Sequence, residues 1–352
     1  MLSRKSWRSA LKRWLYLLNK IKWAAISILF VIVLNFFLFR VLPGDPIRAG
    51  VKDPRMSADA QEAIRIRFGL DKPVINCFES LNPIKLGSCA VNPLDTQFFI
   101  YIGNLLKGDL GISYATNRPV SSMLGDYLVN TLILIGIAQI LSIFIGMTMG
   151  VIAAWKSHTP IDYTTLIFSL ITWSLPTFWL GIMLLFAGST WLDLPVGGKL
   201  TPGAHLAGGA LAGDLLKHLI LPTITFTVVV LGEYMLIMRS TVLEVLSEDY
   251  ILTAKAKGLN NFQILKDHAM RNAMLPMVTI IAMNLGFTVA GAMQIETVFS
   301  WPGLGFAVFD AVGRRDYPML QGAFLLIAVS VIFANLLADL LYSYLDPRVQ
   351  AG

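Results

Sequence analysis

Charge is scarce in this sequence. Asp, Glu, Lys and Arg make up 14% of its 352 residues against 55% hydrophobic, and mean hydropathy is +0.65. That composition lies outside the range of ordinary soluble domains and marks an integral membrane protein. Histidine is equally thin: four scattered copies leave a dedicated metal site unsupported. A P-loop needs Gly-x-x-x-x-Gly-Lys-Ser/Thr, and the nearest stretch places Trp155 where glycine must precede Lys156 and Ser157. The chain is therefore not expected to bind ATP itself. His-Glu-x-x-His and Gly-x-Ser-x-Gly are also absent, which removes the recognisable intramembrane protease and hydrolase constellations. The net charge of +6 does not point to nucleic acid, because the lysines and arginines flank apolar spans instead of forming one dense stripe.

What is present in quantity is apolar sequence. Crossing roughly 30 Å of hydrocarbon at about 1.5 Å per residue takes about twenty residues. Six stretches qualify, near Trp23 to Leu42, Leu128 to Trp155, Thr164 to Leu192, His218 to Met238, Pro276 to Thr297 and Met319 to Leu345. Backbone amides in lipid must be satisfied within the segment, and these spans are too long for barrel strands, so helices are expected. The fold class read from the residues is all-α, a polytopic membrane protein with six transmembrane helices.

Orientation follows from the basic residues. Arg4, Lys5, Arg8, Lys12, Arg13, Lys20 and Lys22 precede the first span, and Arg239, Lys255, Lys257, Lys266 and Arg271 lie between the fourth and fifth. An even number of crossings puts both segments and Arg348 on one side, which the positive-inside rule makes cytoplasmic. The expected organisation is a cytoplasmic segment 1–22, a first span 23–42, an extracytoplasmic loop 43–127, a five-helix core 128–345 containing a cytoplasmic loop 239–275, and a cytoplasmic tail 346–352. The first span is followed by FRVLPGDP in place of a small-residue cleavage site, so it reads as an uncleaved signal anchor.

The extracytoplasmic loop contains turn signals at PGDP, Pro43 to Pro46, and GDLG, Gly108 to Gly111. Both cysteines, Cys77 and Cys89, lie in it. In an oxidising compartment they can close a ring worth about 3 kcal/mol by the loop-length model, and the alternative is two free thiols.

The loop 239–275 is the polar exception to the membrane pattern. Ser247 can cap a short helix with Glu248 and Asp249 in its first turn, Lys255 and Lys257 in its last, and Gly258 as its stop, so both ends suit the macrodipole. Tyr250, Ile251 and Ala254 supply an apolar face. Asn260 or Asn261 can cap a second helix, Phe262 to Met274, leading to Pro276. The residues leave two readings open: an amphipathic hairpin on lipid headgroups, or a docking element for a soluble partner.

EDYILTAKAKGL, Glu248 to Leu259, with HAMRNAMLP, His268 to Pro276, resembles the cytoplasmic signature loop of binding-protein-dependent ABC importer permeases. The chain from about Ala24 to Arg348 is similar to the first permease subunit of the oligopeptide, dipeptide and nickel importers. It departs from the general Glu-Ala-Ala signature, with Leu252, Thr253 and Ala254 in those positions and a longer spacer, both usual in the peptide and nickel branch. Further resemblances are FRVLPGDP at Phe39 to Pro46, GNLLKGDLGISYATNRPV at Gly103 to Val120, SLPTFWLG at Ser174 to Gly181, ETVFSWPGLG at Glu296 to Gly305, and RRDYPMLQG at Arg314 to Gly322. The stretch from about Val74 to Asp95, with both cysteines, looks like an insertion.

The resemblance implies an ABC type I importer permease fold in the bacterial inner membrane, with a second homologous permease completing the pore for peptides or a related solute such as a nickel chelate. It implies two cytoplasmic ATPases carrying ATP and Mg, an extracytoplasmic solute-binding protein, and no cofactor in this chain. Glu248, Asp249, Tyr250, Thr253, Ala254, Lys257 and Gly258 would then meet an ATPase.

Polar residues inside the spans carry their own expectations. Glu233 suits either a pathway or a structural hydrogen bond, Asn284 and Gln139 suit bridges between helices, and Glu233, Asn284 and Glu296 are the pathway candidates. Asp339 is expected to be solvated. Gly136, Gly146 and Gly150 suit close helix contacts. A secondary carrier is the main rival, but the charges are sparse and no internal repeat is evident. A membrane enzyme lacks a catalytic cluster.

Overall fold

A computed structural model describes residues 4–41, 72, 95–291 and 293–345. Cys77 and Cys89 lie outside the described residues, as does most of the loop 43–127. The described chain is helical, with one isolated bridge between Ile112 and Pro119. In chain order the helices are α1 Arg4–Val41, α2 Gln97–Leu106, α3 Val120–Trp155, α4 Pro160–Ser174, α5 Thr177–Trp191, α6 Gly208–Leu246, α7 Asp249–Ala256 and α8 Asn261–Gln263. A π-helical turn, Ile264–Ala269, follows, and then α9 Met270–Gly291, α10 Met293–Val298, α11 Leu304–Arg314 and α12 Tyr317–Leu345.

Among the described residues, stretches of α1, α3, α6 and α12 are long and apolar enough to cross a membrane. The expected third span, Thr164 to Leu192, is corrected to two helices, α4 and α5, bent by 100°. The cause is Pro176. Proline pushes the residue before it out of the helical region, and Leu175 sits at φ −72°, ψ 129°. Counted as one broken span, the pair makes a fifth crossing. The expected fifth stretch, Pro276 to Thr297, is covered by α9 and α10.

The chain forms two compact units. One comprises 1–25, 130–305 and 330–352. Its core has an apolar cluster around Leu134, Leu221, Phe226, Phe299 and Trp301, and a second around Tyr234, Met238, Leu265, Ala273 and Met277. The other comprises 26–129 and 306–329. There Phe36 packs edge-on to Phe98 at 5.1 Å, and Asn35 Nδ2 donates to the Gln321 carbonyl at 3.0 Å.

Helix α3 lies directly on the backbone of α6. A Cβ on Gly146 would come within 2.7 Å of the Leu231 carbonyl oxygen, and one on Gly150 within 2.6 Å of that of Met235. Gly136 departs from the expectation: nothing lies within 4 Å of its Cβ position. Gly150→Ala is therefore expected to lower stability by about 1–3 kcal/mol through overpacking. Gly136→Ala should be neutral or stabilising by up to roughly 1 kcal/mol through helix propensity. Unfolding of the detergent-purified chain distinguishes them, and equal effects would contradict the contact.

Candidate functional site

Among the described residues, the polar hairpin between α6 and α9 contains the one capping box and a glycine-closed helix end. Helix α6 runs to Leu246, and Ser247 is its C-terminal residue, donating Oγ to the Glu244 carbonyl at 2.6 Å. The expected cap at Ser247 is thus corrected to Glu248, which stands in extended geometry before Asp249. The apolar pattern at Leu243, Val245 and Leu246 carries α6 past the point where the polar sequence suggested a new start.

The far end of α7 closes by two backbone bonds. Gly258 N–H reaches the Lys255 carbonyl at 2.9 Å and Leu259 N–H the Ala254 carbonyl at 3.4 Å. This is the Schellman pattern, and it needs the φ of +81° that Gly258 supplies. Asn260 then opens the return helix with a capping box: Gln263 N–H donates to Asn260 Oδ1 at 2.8 Å, and Asn260 N–H to Gln263 Oε1 at 3.0 Å. The return leg is π-helical over Ile264–Ala269 before α9 begins.

An eight-residue helix is marginal alone, and α7 is held by its inner face. Ile251 and Ala254 pack on Ile264, flanked by Leu246 and Leu259. Asn272 Nδ2 donates to the Tyr250 hydroxyl at 2.6 Å, and Trp155 at the end of α3 meets Phe262 at 6.0 Å between ring centroids. Of the expected coupling residues, Glu248, Asp249, Tyr250, Thr253, Lys257 and Gly258 are exposed, whereas Ala254 is buried. Ala254 therefore seats the helix and does not present itself outward. Leu252, 63% exposed without packing on the hairpin's apolar seam, joins the outward face and was missed as a site residue.

Beneath the hairpin is an ion pair the sequence did not announce. Arg239 Nε and Nη2 donate to the two carboxylate oxygens of Asp162 at 2.5 and 2.8 Å, and His158 N–H donates to the same carboxylate at 3.0 Å. The pair joins α4 to α6. Asp162 and Arg239 are 77 residues apart, so the only local signal was an acid beside an apolar span.

The intramembrane candidates separate. Asn284 of α9 donates to Glu233 at 3.0 Å and to the Tyr234 hydroxyl at 3.2 Å, both on α6. Gln139 of α3 donates to the same hydroxyl. This polar chain links three helices, with Glu233 half-buried. Glu296 is elsewhere and fully buried. It accepts from Thr131 Oγ1 at 2.6 Å and from Gly305 N–H at 2.7 Å, and a Cβ on Gly303 would collide with its carboxylate. Glu296 locks the WPGLG turn against α3. Trp301 Nε1 donates to the Asn130 carbonyl at 3.0 Å, and Asn130 Nδ2 to that of Pro302 at 2.8 Å, completing the lock. Asp339, expected to be solvated, has a side chain 42% exposed and also pairs with Lys20 at 2.8 Å.

In the other unit, Asp316 is a further residue that sequence reading missed. It accepts from Ser113 Oγ at 2.5 Å and from the N–H groups of Tyr114 and Ala115 at 3.1 and 3.3 Å. Its place just before α12 was a readable capping signal, and Met319 N–H reaches it at 3.4 Å.

Comparison with protein-family models matches residues 146–351 to the binding-protein-dependent transport system inner membrane component. The chain belongs to this family. The matched residues contain the hairpin, the Asp162–Arg239 pair, the Glu233–Asn284 bond and Glu296, but not its α3 partners Asn130 and Thr131. Among curated relatives, the dipeptide transport system permease protein DppB of Escherichia coli K12 is 36% identical over 338 residues, 91% of this chain and 94% of the relative. The di/tripeptide transport system permease protein DppB of Pseudomonas aeruginosa is 36% identical over 339 residues, with 91% and 94% covered. The dipeptide permease DppB of Haemophilus influenzae is 41% identical over 264 residues, 71% of this chain and 79% of the relative. As a member of a transport-system membrane component family, the chain is a multi-pass permease subunit.

Removing Arg239 strands a buried carboxylate. Arg239→Ala is expected to destabilise the chain by about 3–5 kcal/mol, and adding Asp162→Asn should return part of that loss by removing the uncompensated charge. Thermal or denaturant unfolding in detergent measures both, and a double variant no better than the single would contradict the pairing.

Proposed function

We propose that this chain forms half of the pore of an ABC importer for short peptides. A second homologous permease supplies the other half, and two separate ATPases with ATP and Mg supply the drive. An extracytoplasmic solute-binding protein delivers the substrate. The family's name supports dependence on a binding protein, and the dipeptide and di/tripeptide permeases among the relatives support the substrate class. In this reading both termini and the segment 239–275 face the cytoplasm, while 43–127 lies outside.

The observation that carries the reading is the division of labour on α7. One face is spent on Ile251, Ala254 and Ile264, and the C-terminal end is closed by the Gly258 turn, with the Asn260 capping box opening the return helix directly after it. The opposite face, with Leu252, Thr253, Lys255 and Lys257, is exposed. An exposed leucine flanked by lysines on a rigidly stopped helix suits an ATPase groove with an apolar floor and acidic rim. Closure of the ATPases would push on this face, and α6 and α9, continuous with the hairpin, would carry the displacement into the membrane.

Leu252→Glu separates docking from folding, because Leu252 makes no contact with the buried seam. In a complex reconstituted with its ATPases and receptor, the variant should keep its unfolding midpoint and lose substrate-stimulated ATP hydrolysis by about tenfold or more, the scale of one interface hot spot. Ala254→Glu should lose stability as well as coupling, since its site is buried. Normal stimulated hydrolysis in Leu252→Glu would overturn the docking role.

A further inference from the structure

Residues 127–155 include no Asp, Glu, Lys or Arg, and Lys156 is the first charged residue after them. Helix α3 ends at Trp155, so the change from apolar to charged sequence coincides with the end of a helix long enough to cross a membrane. Along α3 an apolar stripe is left uncovered: Ile137, Leu141, Phe144, Ile152 and Trp155 are between 39% and 70% exposed. Their spacing of three, four and eight residues keeps them on one side of the helix. Phe144 and Ile152 each stand two residues from a glycine that touches α6, Gly146 and Gly150, which is about 200° around the helix. The stripe therefore faces away from α6. From Ile137 to Trp155 the rise is about 27 Å, close to the roughly 30 Å of a bilayer's hydrocarbon. Trp155 and Lys156 thus stand where hydrocarbon gives way to headgroups, the level that tryptophan and lysine favour.

Phe262 continues this stripe from the hairpin. Its ring centroid lies 6.0 Å from that of Trp155, with the planes inclined at 42°, and the residue is 61% exposed. It takes no part in the seam of Ile251, Ala254 and Ile264. Contact with the last residue of α3 sets its depth at one ring contact from Trp155. The capping box at Asn260 fixes the backbone two residues earlier, so the ring is presented by a closed turn. An exposed phenylalanine keeps its hydrophobic cost in water, and placement beside a tryptophan in the interface removes much of it. Lys156, also exposed, supplies a cation at the level of the phosphates.

We propose that Trp155 and Phe262 form an aromatic anchor seated in the phospholipid interface, so that the return leg of the hairpin rests on the bilayer while α7 stays in water. The lipid surface and a soluble partner are then occupants of different legs of one hairpin. The anchor follows from the register of α3 and the aromatic contact, and it does not rest on the importer reading.

Phe262→Cys and Leu252→Cys, each in a background of Cys77→Ser and Cys89→Ser and each bearing an NBD fluorophore, test the anchor in nanodiscs of phosphatidylcholine and phosphatidylglycerol. Lipids with a nitroxide near the headgroup should quench most of the emission at 262 and leave that at 252 unchanged. The result should be the same for the chain alone and for the transporter assembled with its second permease and ATPases. Unquenched emission at 262, or equal quenching at both positions, overturns the anchor. Quenching at 262 that disappears on assembly also overturns it and gives the aromatic face to a protein partner. The unsubstituted chain supplies a second measurement: photoactivatable phosphatidylcholine should form adducts at Phe262 or Trp155 and none at Leu252. Adducts at Leu252 alone, or none at any of the three, overturn the anchor. Quenching at 262 in an assembled transporter that imports no dipeptide would support the anchor and overturn the importer reading.

Discussion

Asp162 imposes the constraint on which the arrangement around the hairpin depends. Its side chain is 2% exposed on the first turn of a membrane-flanking helix, where a carboxylate without a counter-charge is strongly disfavoured. Arg239 answers it with two parallel bonds, and this geometry fixes the depth and rotation of α6 against α4. Arg239 lies two turns before the end of α6. The end from which the hairpin hangs is thereby tied to α4. On another side, the backbone of α3 meets α6 at Met235, just below that pair, through the missing side chain of Gly150.

The hairpin itself follows from local chemistry laid over a small apolar seam. Helix α7 has too few residues to persist by hydrogen bonding alone, so Ile251 and Ala254 must remain buried for it to exist. The small side chain at 254 allows Leu259 to fold back after the Gly258 turn, joining cap and seam in one contact. Because inner face and caps carry the stability, the outward residues are free to serve another molecule.

Legibility divided by distance along the chain. Gly258 and Asn260 were readable because their bonds span only a few residues. The stop at Pro176 was equally local, but continuous apolarity around it read as one span, whereas the backbone before proline had to leave the helix. Ser247 misled because its hydroxyl suits either a start or an end, and only the packing of Leu246 decides. Gly136, Gly146 and Gly150 look alike in sequence; the face each occupies separates them. The bonds of Glu296 were not readable because its donors, Thr131 and Gly305, come together only in the folded WPGLG turn. Asp162 and Arg239 likewise stood as unremarkable flanking charges until the fold joined them.

The same polar bonds determine how a push on α7 would travel. Helices α6 and α9 are each continuous with one leg of the hairpin, and the Asn284 bonds to Glu233 and Tyr234 cross between them inside the apolar region. Sliding one helix past the other would sever those bonds, and Gln139 extends the restraint to α3 through the same tyrosine. Fraying of α7 is opposed as well, since its last carbonyls are already engaged by Gly258 and Leu259. With slippage and fraying both disfavoured, a force on the exposed face is passed on as rigid-body displacement. The hairpin is thereby a mechanical extension of the membrane helices, and its stiffness arises from polar groups closed inside an apolar surround.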